Sequence, residues 1–298
     1  MKEVVLGALR INQVVELVDG LPLSMVLPDF GREDLARLRE WYWDDGLDED
    51  PTKASFQLSI HTYVLQVDGL NVLIDTCNGN DKTRVVPFAN QLQTKYLDRL
   101  DDLGLQPEDI HVVMCTHLHC DHVGWNTRLL DGRWVPTFPN ARYVFSRRDY
   151  DHFSEQTEEQ LHRDAYLDSV LPVVAAGQAE MLDSDAVIHR TLGDGIWLED
   201  ASGHSPGCCV VNARRDGELA VFSGDVVHHP MQLVRPDLAF FADHEPQKAM
   251  RTRRRLLERY ADTSAVFFPA HFQFGGAGRV KNADGGFRYE FLSQGEAL

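Results

Sequence analysis

Between residues 60 and 67 two sets of side chains interleave, His61, Tyr63, Leu65 and Val67 against Thr62, Val64 and Gln66. A period of two predicts a strand. The turn Asp68–Gly69 then leads into residues 71–75, which together read as a hairpin. Over residues 92–103 the period changes, with Leu92, Tyr96, Leu97, Leu100 and Leu103 at helical spacing. The run His111, Val112, Val113, Met114, Cys115 is short, apolar and suited to a buried strand. Further strands are expected at residues 141–146, 195–200, 208–212, 219–222 and 265–268, and helices at 158–174 and 246–260. Many strands with interspersed helices predict an α/β sandwich whose helices cover the sheets. The opening of the chain has a different character: a short helix over 33–42 precedes Asp44, Asp45, Asp48, Glu49 and Asp50. We expect residues 1–55 to form an arm packed on a main domain of residues 56–298, with a partly ordered acidic loop as the plainer reading.

Composition narrows the class. The chain has 298 residues, 43% hydrophobic and 25% charged, enough for a sizeable core in one large domain or two small ones. A formal net charge of −17 repels phosphate backbones and anionic membranes, so neither nucleic acid nor a membrane is expected as partner. The basic run Arg251, Thr252, Arg253, Arg254, Arg255 lies in an expected helix and reads as its solvated face. No run reaches the roughly 18 apolar residues that span a bilayer. Five cysteines without C-x-x-C spacing argue against a disulfide framework, and a cytoplasmic location is expected.

The densest chemistry is Thr116–His117–Leu118–His119–Cys120–Asp121–His122–Val123–Gly124, directly after the buried strand. Neutral imidazole nitrogen and carboxylate oxygen are the donors a zinc-type ion takes. A loop leaving a strand end turns alternate side chains to one point, and burying so many polar groups without a ligand is costly. Three later elements match it. His204 sits in the turn Ser202–Gly203–His204–Ser205–Pro206–Gly207, Asp225 ends the strand of Phe222, and His271 follows Phe267–Phe268–Pro269–Ala270. Singly, each also fits a cap or a hydrogen-bonded loop residue.

The H-x-H-x-D-H motif, the G-H-S-P-G turn, the strand-end aspartate and the final histidine together resemble the metallo-β-lactamase superfamily, over residues 60–271. The resemblance implies a four-layer αββα sandwich with its site at the sheet edges. It implies one metal held by His117, His119 and His204, and a second by Asp121, His122 and His271, with Asp225 bridging. Two zinc ions, or other divalent transition metals, would then share a hydroxide that Asp121 orients. Asp75 matches a family aspartate that supports a ligand from behind, and Cys77 stands where many members have glycine.

Within the superfamily, the complete ligand set and the short tail favour a small-molecule ester or lactone hydrolase, similar to methyl parathion hydrolase-like and N-acyl homoserine lactonase-like proteins. A phosphotriester or β-lactam hydrolase and a non-catalytic metal-binding sensor are the alternatives. Many lactonases have tyrosine three residues after the bridging aspartate; this chain has His228, expected either to donate a hydrogen bond to a substrate oxygen or simply to pack. His229 is expected to point away. Trp125, Phe240, Phe241, Phe272 and Phe274 are candidates for an apolar pocket or for core. By analogy with the lactonase-like relatives, the arm suggests a homodimer.

Overall fold

The computed structural model describes residues 3–155, 159–184, 186–191, 194–273 and 276–292. Among these, the period-two segments assemble into two seven-stranded sheets. The first holds β1 (Val4–Leu6), β2 (Leu9–Pro22), β3 (Ser55–Val67), β4 (Leu70–Ile74) and β5 (Val112–Met114). A separate hairpin, β6 (Thr127–Leu130) and β7 (Arg133–Pro136), precedes its last two strands, β8 (Arg142–Ser146) and β9 (Ala179–Leu182). The second sheet runs in chain order through β10 (Val187–Thr191), β11 (Asp194–Asp200), β12 (Cys209–Arg215), β13 (Glu218–Gly224), β14 (Val266–Pro269), β15 (Gly278–Ala283) and β16 (Gly286–Phe291).

Side-chain parity explains the layering. Tyr63, Leu65, Val72, Ile74 and Met114 share one core with Val211, Ala220, Phe222, Val266 and Phe268 of the other sheet. Their neighbours of opposite parity, Val64, Leu73, Val113 and Tyr143, join a core with Tyr96, Leu100, Phe153 and Val173 of the helical segments. On the far side Val210, Val221 and Phe267 pack with Leu256 and Leu257 of the helix Pro246–Tyr260. Both faces of each sheet are thus covered, which gives the expected αββα sandwich. It also explains why residues 58–65 are buried without interruption although their chemistry alternates.

Most strand pairs are antiparallel; β8 runs parallel to its neighbours β5 and β9, and at the edge that matters here β4 pairs with β5, and β13 with β14, in parallel. The C-terminal ends of these four strands lead to Asp75, His117, Asp225 and His271 respectively. Open sheets place ligands outside the carboxyl ends of parallel strands, and here two sheets do so at one edge.

The first fifty residues carry structure that the pattern did not reveal. β2 pairs with β3 from Arg10↔Gln66 to Pro22↔Ser55, with a bulge between Val15 and Leu17. The bulge breaks the alternation on which a strand reading depends and turns the Glu16 carboxylate inward. There it accepts hydrogen bonds from Trp125 Nε1 (2.6 Å), Asn78 N (2.8 Å) and Thr94 Oγ1 (3.1 Å). The helix expected over 33–42 spans Arg32–Arg39. Within the acidic stretch Asp44 is fully buried, bound by the Tyr42 hydroxyl and Gly46 N, so it is a fixed element and not a solvated charge.

Other expectations needed adjustment. Only Tyr96–Asp101 of residues 92–103 is helical. The helix expected over 158–174 is Gln160–Ala165, a π-turn Tyr166–Val170 and Leu171–Ala175; residue 158 lies outside the described residues. Arg253 does not join a solvated face: it is fully buried and donates to the carbonyls of Val226 (2.8 Å) and Leu238 (2.5 Å). Long-range acceptors offset its burial, which a charge run in the sequence cannot show. No described helix is long and apolar enough to cross a membrane.

Phe222 stacks on Phe268 between the sheets with ring centroids 4.9 Å apart. Phe222→Ala is expected to cost about 3–5 kcal/mol in urea denaturation, whereas Leu130→Ala on the exposed hairpin should change stability by less than about 0.5 kcal/mol.

Candidate active site

Where the sheet edges meet, the chain after β5 turns outward at Thr116 and runs into one helical turn, Cys120–Val123. His117 and His119 therefore come from the loop, and Asp121 and His122 from the turn. This segment is zipped to the one after β4: Thr76 N donates to His122 O (2.8 Å), Gly124 N to Cys77 O (2.7 Å) and Trp125 N to Thr76 O (2.8 Å). The approach is so close that a Cβ on Gly124 would lie 1.8 Å from Asn78 O, so only glycine fits. Asp75 and Cys77 adopt left-handed φ of 57° and 52°; the cysteine thus occupies a conformation natural to glycine.

All seven expected ligand residues converge. His117, His119, His204 and Asp225 form one group and Asp121, His122 and His271 another, each offering ligand atoms within 4.8 Å of one another. In the first group His204 Nε2 is 3.0 Å from His119 Nδ1 and 3.2 Å from Asp225 Oδ2, which is 3.6 Å from His117 Nε2. Around the second, Asp225 Oδ1 lies 3.0 Å from His271 Nε2 and 3.4 Å from His122 Nε2. Both of those nitrogens are 3.6 Å from Asp121 Oδ2. Ligands about 2.0–2.2 Å from a tetrahedral ion stand roughly 3.3–3.6 Å apart, close to these separations. The two oxygens of Asp225 thus face different groups.

Donor chemistry agrees with this geometry. His117 Nε2, His122 Nε2 and Asp225 Oδ1 are buried without a hydrogen-bond partner, although such atoms are normally paired. Burial and neighbouring imidazoles push His117 and His119 well below the ordinary histidine range, so both present lone pairs. Burial opposes charge on His204 as well, but hydrogen bonds to Asp225 and Asp243 outweigh it and raise the group to about 9. Burial likewise works against the Asp225 carboxylate, yet the surrounding histidines hold it well below the usual range. A set of nitrogen and carboxylate donors suits zinc or a similar divalent ion.

Buried carboxylates aim the candidate ligands. Asp75 accepts Thr116 N (2.7 Å) and contacts His122 Nδ1 (2.9 Å), the supporting place expected of it. Two comparable residues escaped sequence reading. Asp243 lies 3.0 Å from His204 Nδ1 and accepts Phe240 N (2.8 Å), with Arg253 3.7 Å away. Asp149 accepts Leu118 N (3.1 Å), Ser205 Oγ (2.9 Å) and Gly207 N (2.5 Å), which ties the two ligand loops together. Burial raises its carboxyl to about 6. No local motif marks either residue: the partners of Asp149 lie 31 to 58 positions away, and Asp243 meets His204 across 39 positions.

A cavity of about 620 Å³ opens over the two groups. Leu21, Met25, Leu58, Phe88, Phe240 and Phe241 give it an apolar side, while His152, Glu159, His162 and His244 give it a polar one. Of the aromatic candidates, Phe240 and Phe241 line it; Trp125 stacks on Tyr96 instead, and Phe272 packs in the core under the helix Pro246–Tyr260. Phe274 lies outside the described residues. His162, which sequence reading passed over, stacks on His119 with centroids 4.5 Å apart. His228 also lines the cavity, with Nε2 3.2 Å from Asp225 Oδ2, and burial pushes it down to about 4. His229 does point away, to Asp44 at 3.0 Å. All five cysteines are free and buried, Cys120 in the cavity wall.

Comparison with known proteins agrees with this geometry. The profile of the metallo-beta-lactamase superfamily matches residues 56–271. N-acyl homoserine lactonase AiiA of Bacillus thuringiensis subsp. kurstaki is 22% identical over 231 residues, 72% of this chain and 81% of that protein. AiiB of Agrobacterium fabrum, also an N-acyl homoserine lactonase, is 33% identical over 91 residues, 26% of this chain and 32% of that one. Among solved structures, the hydrolase AbOPH of the β-lactamase superfamily superposes with a TM-score of 0.80 at 23% identity, covering 99% of this chain and 98% of that one. The dizinc quorum-quenching lactonase AidC, in complex with its product, gives 0.78 at 20% identity, covering 99% and 98%. At these identities the structures show a shared fold.

Two outcomes follow for metal binding, both read by competition with a chromophoric chelator. Asp243→Ala removes the partner of His204 and should weaken metal affinity about 10–100-fold. In the metal-free protein His204 carries a proton below about 9. An incoming ion must displace that proton, so apparent affinity should rise with pH up to that value.

Proposed function

The chain belongs to the metallo-β-lactamase superfamily, and from that premise we propose that it is a hydrolase that uses two divalent metal ions, zinc as the expected pair, to cleave an ester or lactone bond in a small hydrophobic substrate. One observation carries the reading: a single buried carboxylate, Asp225, turns one oxygen to each of two ligand groups. His117, His119 and His204 would hold one ion and Asp121, His122 and His271 the other. Bound there, divalent ions supply Lewis acidity and lower the pKa of water towards about 7, so that hydrolysis proceeds at neutral pH.

The chain's own residues do the rest. Asp121 is the most exposed of the ligand carboxylates, 20% at its side chain, and lines the cavity. With Oδ2 turned to His122 and His271, its Oδ1 orients the attacking water and receives its proton. Phe240 and Phe241, with Leu21, Met25 and Leu58, hold the acyl or aryl part of the substrate away from water. Asp75, Asp149 and Asp243 keep the ligands in place between turnovers. The named activity of the lactonase relatives supports the same substrate class.

A panel of aryl esters, lactones, a paraoxon-like triester and nitrocefin tests the assignment. Esters or lactones should be turned over, and removal of metal by a chelator should abolish activity until a divalent ion is returned. Asp121→Ala should lower kcat about 100-fold or more with a smaller change in KM. Turnover confined to the triester or to nitrocefin would overturn the substrate class, and full activity without metal would overturn the mechanism.

A further inference from the structure

Along residues 82–88 alternate side chains turn inward. Lys82 and Arg84 are buried, and Val86 and Phe88 line the cavity, while Thr83 and Val85 face solvent. The stretch is closed at its base, where Gln91 N donates to Lys82 O (2.7 Å) and Asp81 N to Leu92 O (3.1 Å). Arg84 reaches out of this loop and meets Asp168 as a fork, Nη1 to Oδ2 at 2.6 Å and Nη2 to Oδ1 at 2.8 Å. Asp168 belongs to the π-turn Tyr166–Val170. That turn continues the helix Gln160–Ala165, whose Leu161 and His162 line the same cavity. One ion pair, spanning 84 positions of the chain, thus joins two stretches of the cavity wall.

A second cation lies beside the pair. Lys82 Nζ is 3.5 Å from Asp168 Oδ1, donates to Thr127 Oγ1 (2.6 Å) and to the Asp168 carbonyl (3.2 Å), and sits 3.6 Å from the centre of the Trp134 ring. Burial pushes its ammonium down to about 7; Asp168 opposes the fall and Arg84 adds to it. A guanidinium stays charged throughout, so the lasting partner of Asp168 is Arg84. Buried ion pairs add little net stability, because desolvation offsets their attraction. What a fork adds is direction: two parallel bonds fix both the distance and the tilt between the groups they join. An apolar contact would fill the same space without that orientation.

We propose that Arg84 is a positioning residue that determines specificity: through its fork to Asp168 it fixes the gap between residues 86–88 and Leu161–His162, and so sets the width of the substrate group that the cavity admits. The width part rests on the hydrolase reading above; the coupling of the two stretches does not. A slender chain enters a gap held at one width, whereas a broad group must force the two stretches apart and break the fork. None of the seven candidate ligands belongs to the pair, so the chemistry on a slender substrate does not draw on it.

Two esters test the selection, 4-nitrophenyl hexanoate and 4-nitrophenyl 3-(1-adamantyl)propanoate, whose bulk lies away from the scissile carbonyl. The wild-type enzyme should favour hexanoate by about tenfold or more in kcat/KM. Arg84→Lys keeps the charge but not the fork, and Arg84→Met removes both. In either the ratio should fall towards one, the adamantyl ester gaining through KM while kcat for hexanoate holds. Lys82 remains as counter-ion to Asp168 in both variants, and metal affinity equal to that of the wild type verifies the fold. A wild-type ratio near one, or a ratio retained in Arg84→Lys, overturns the role in specificity; so does an equal loss on both esters, the mark of a merely structural pair. Hydrogen exchange followed by mass spectrometry reads the coupling without turnover. In Arg84→Lys, peptides from both 82–92 and 160–172 should exchange about tenfold faster, the worth of one hydrogen bond to a charged group, with those from 112–126 unchanged. Faster exchange in one stretch alone, or in neither, overturns the proposal whether or not the esters are hydrolysed. Faster exchange in both, with neither ester hydrolysed, overturns the width part together with the hydrolase reading and leaves the coupling standing.

Discussion

A buried carboxylate surrounded by imidazoles governs this structure. Asp225 lies at the end of β13, almost inaccessible to solvent, with His204, His271 and His228 nitrogens all within 3.2 Å of its oxygens. Placing so many lone pairs together costs free energy unless protons or cations lie between them. The two sheets provide the rigidity to hold them there. Residues from four strand ends, two in each sheet, meet at this point, and the inter-sheet core of Tyr63, Phe222 and Phe268 fixes how the sheets abut.

Fixing the candidate ligands in place requires supports that are themselves buried. Asp75 grips the loop before the histidine motif and His122 together; Asp149 ties that loop to the turn carrying His204; Asp243 joins His204 to the stacked ring of Phe240. Each carboxylate answers several donors at once, and each connects segments distant in the chain. Asp243 joins His204 to the cavity wall, because the Phe240 ring whose backbone it binds stacks on His228.

How much of this the sequence disclosed depends on the range of the interaction. The ligand motif was legible because four donors fall within six positions after a buried strand, and the later His204, Asp225 and His271 each close a strand or a glycine-rich turn. The layered fold was legible from alternation where alternation was clean, as over 60–67. It failed at β2, where the bulge at Glu16 breaks the parity, and on the Arg251–Arg255 run, where Arg253 turns inward to carbonyls more than a dozen residues away. Asp149 and Asp243 carry no local signature.

The proposed chemistry requires the seven side chains to divide into two ion sites joined through Asp225. Diffraction data collected at the zinc absorption edge from crystals grown with zinc test it most directly. Two anomalous peaks are expected, one among His117, His119 and His204 and one among Asp121, His122 and His271, with an Asp225 oxygen reaching each. A single peak, or peaks away from these seven side chains, would contradict it.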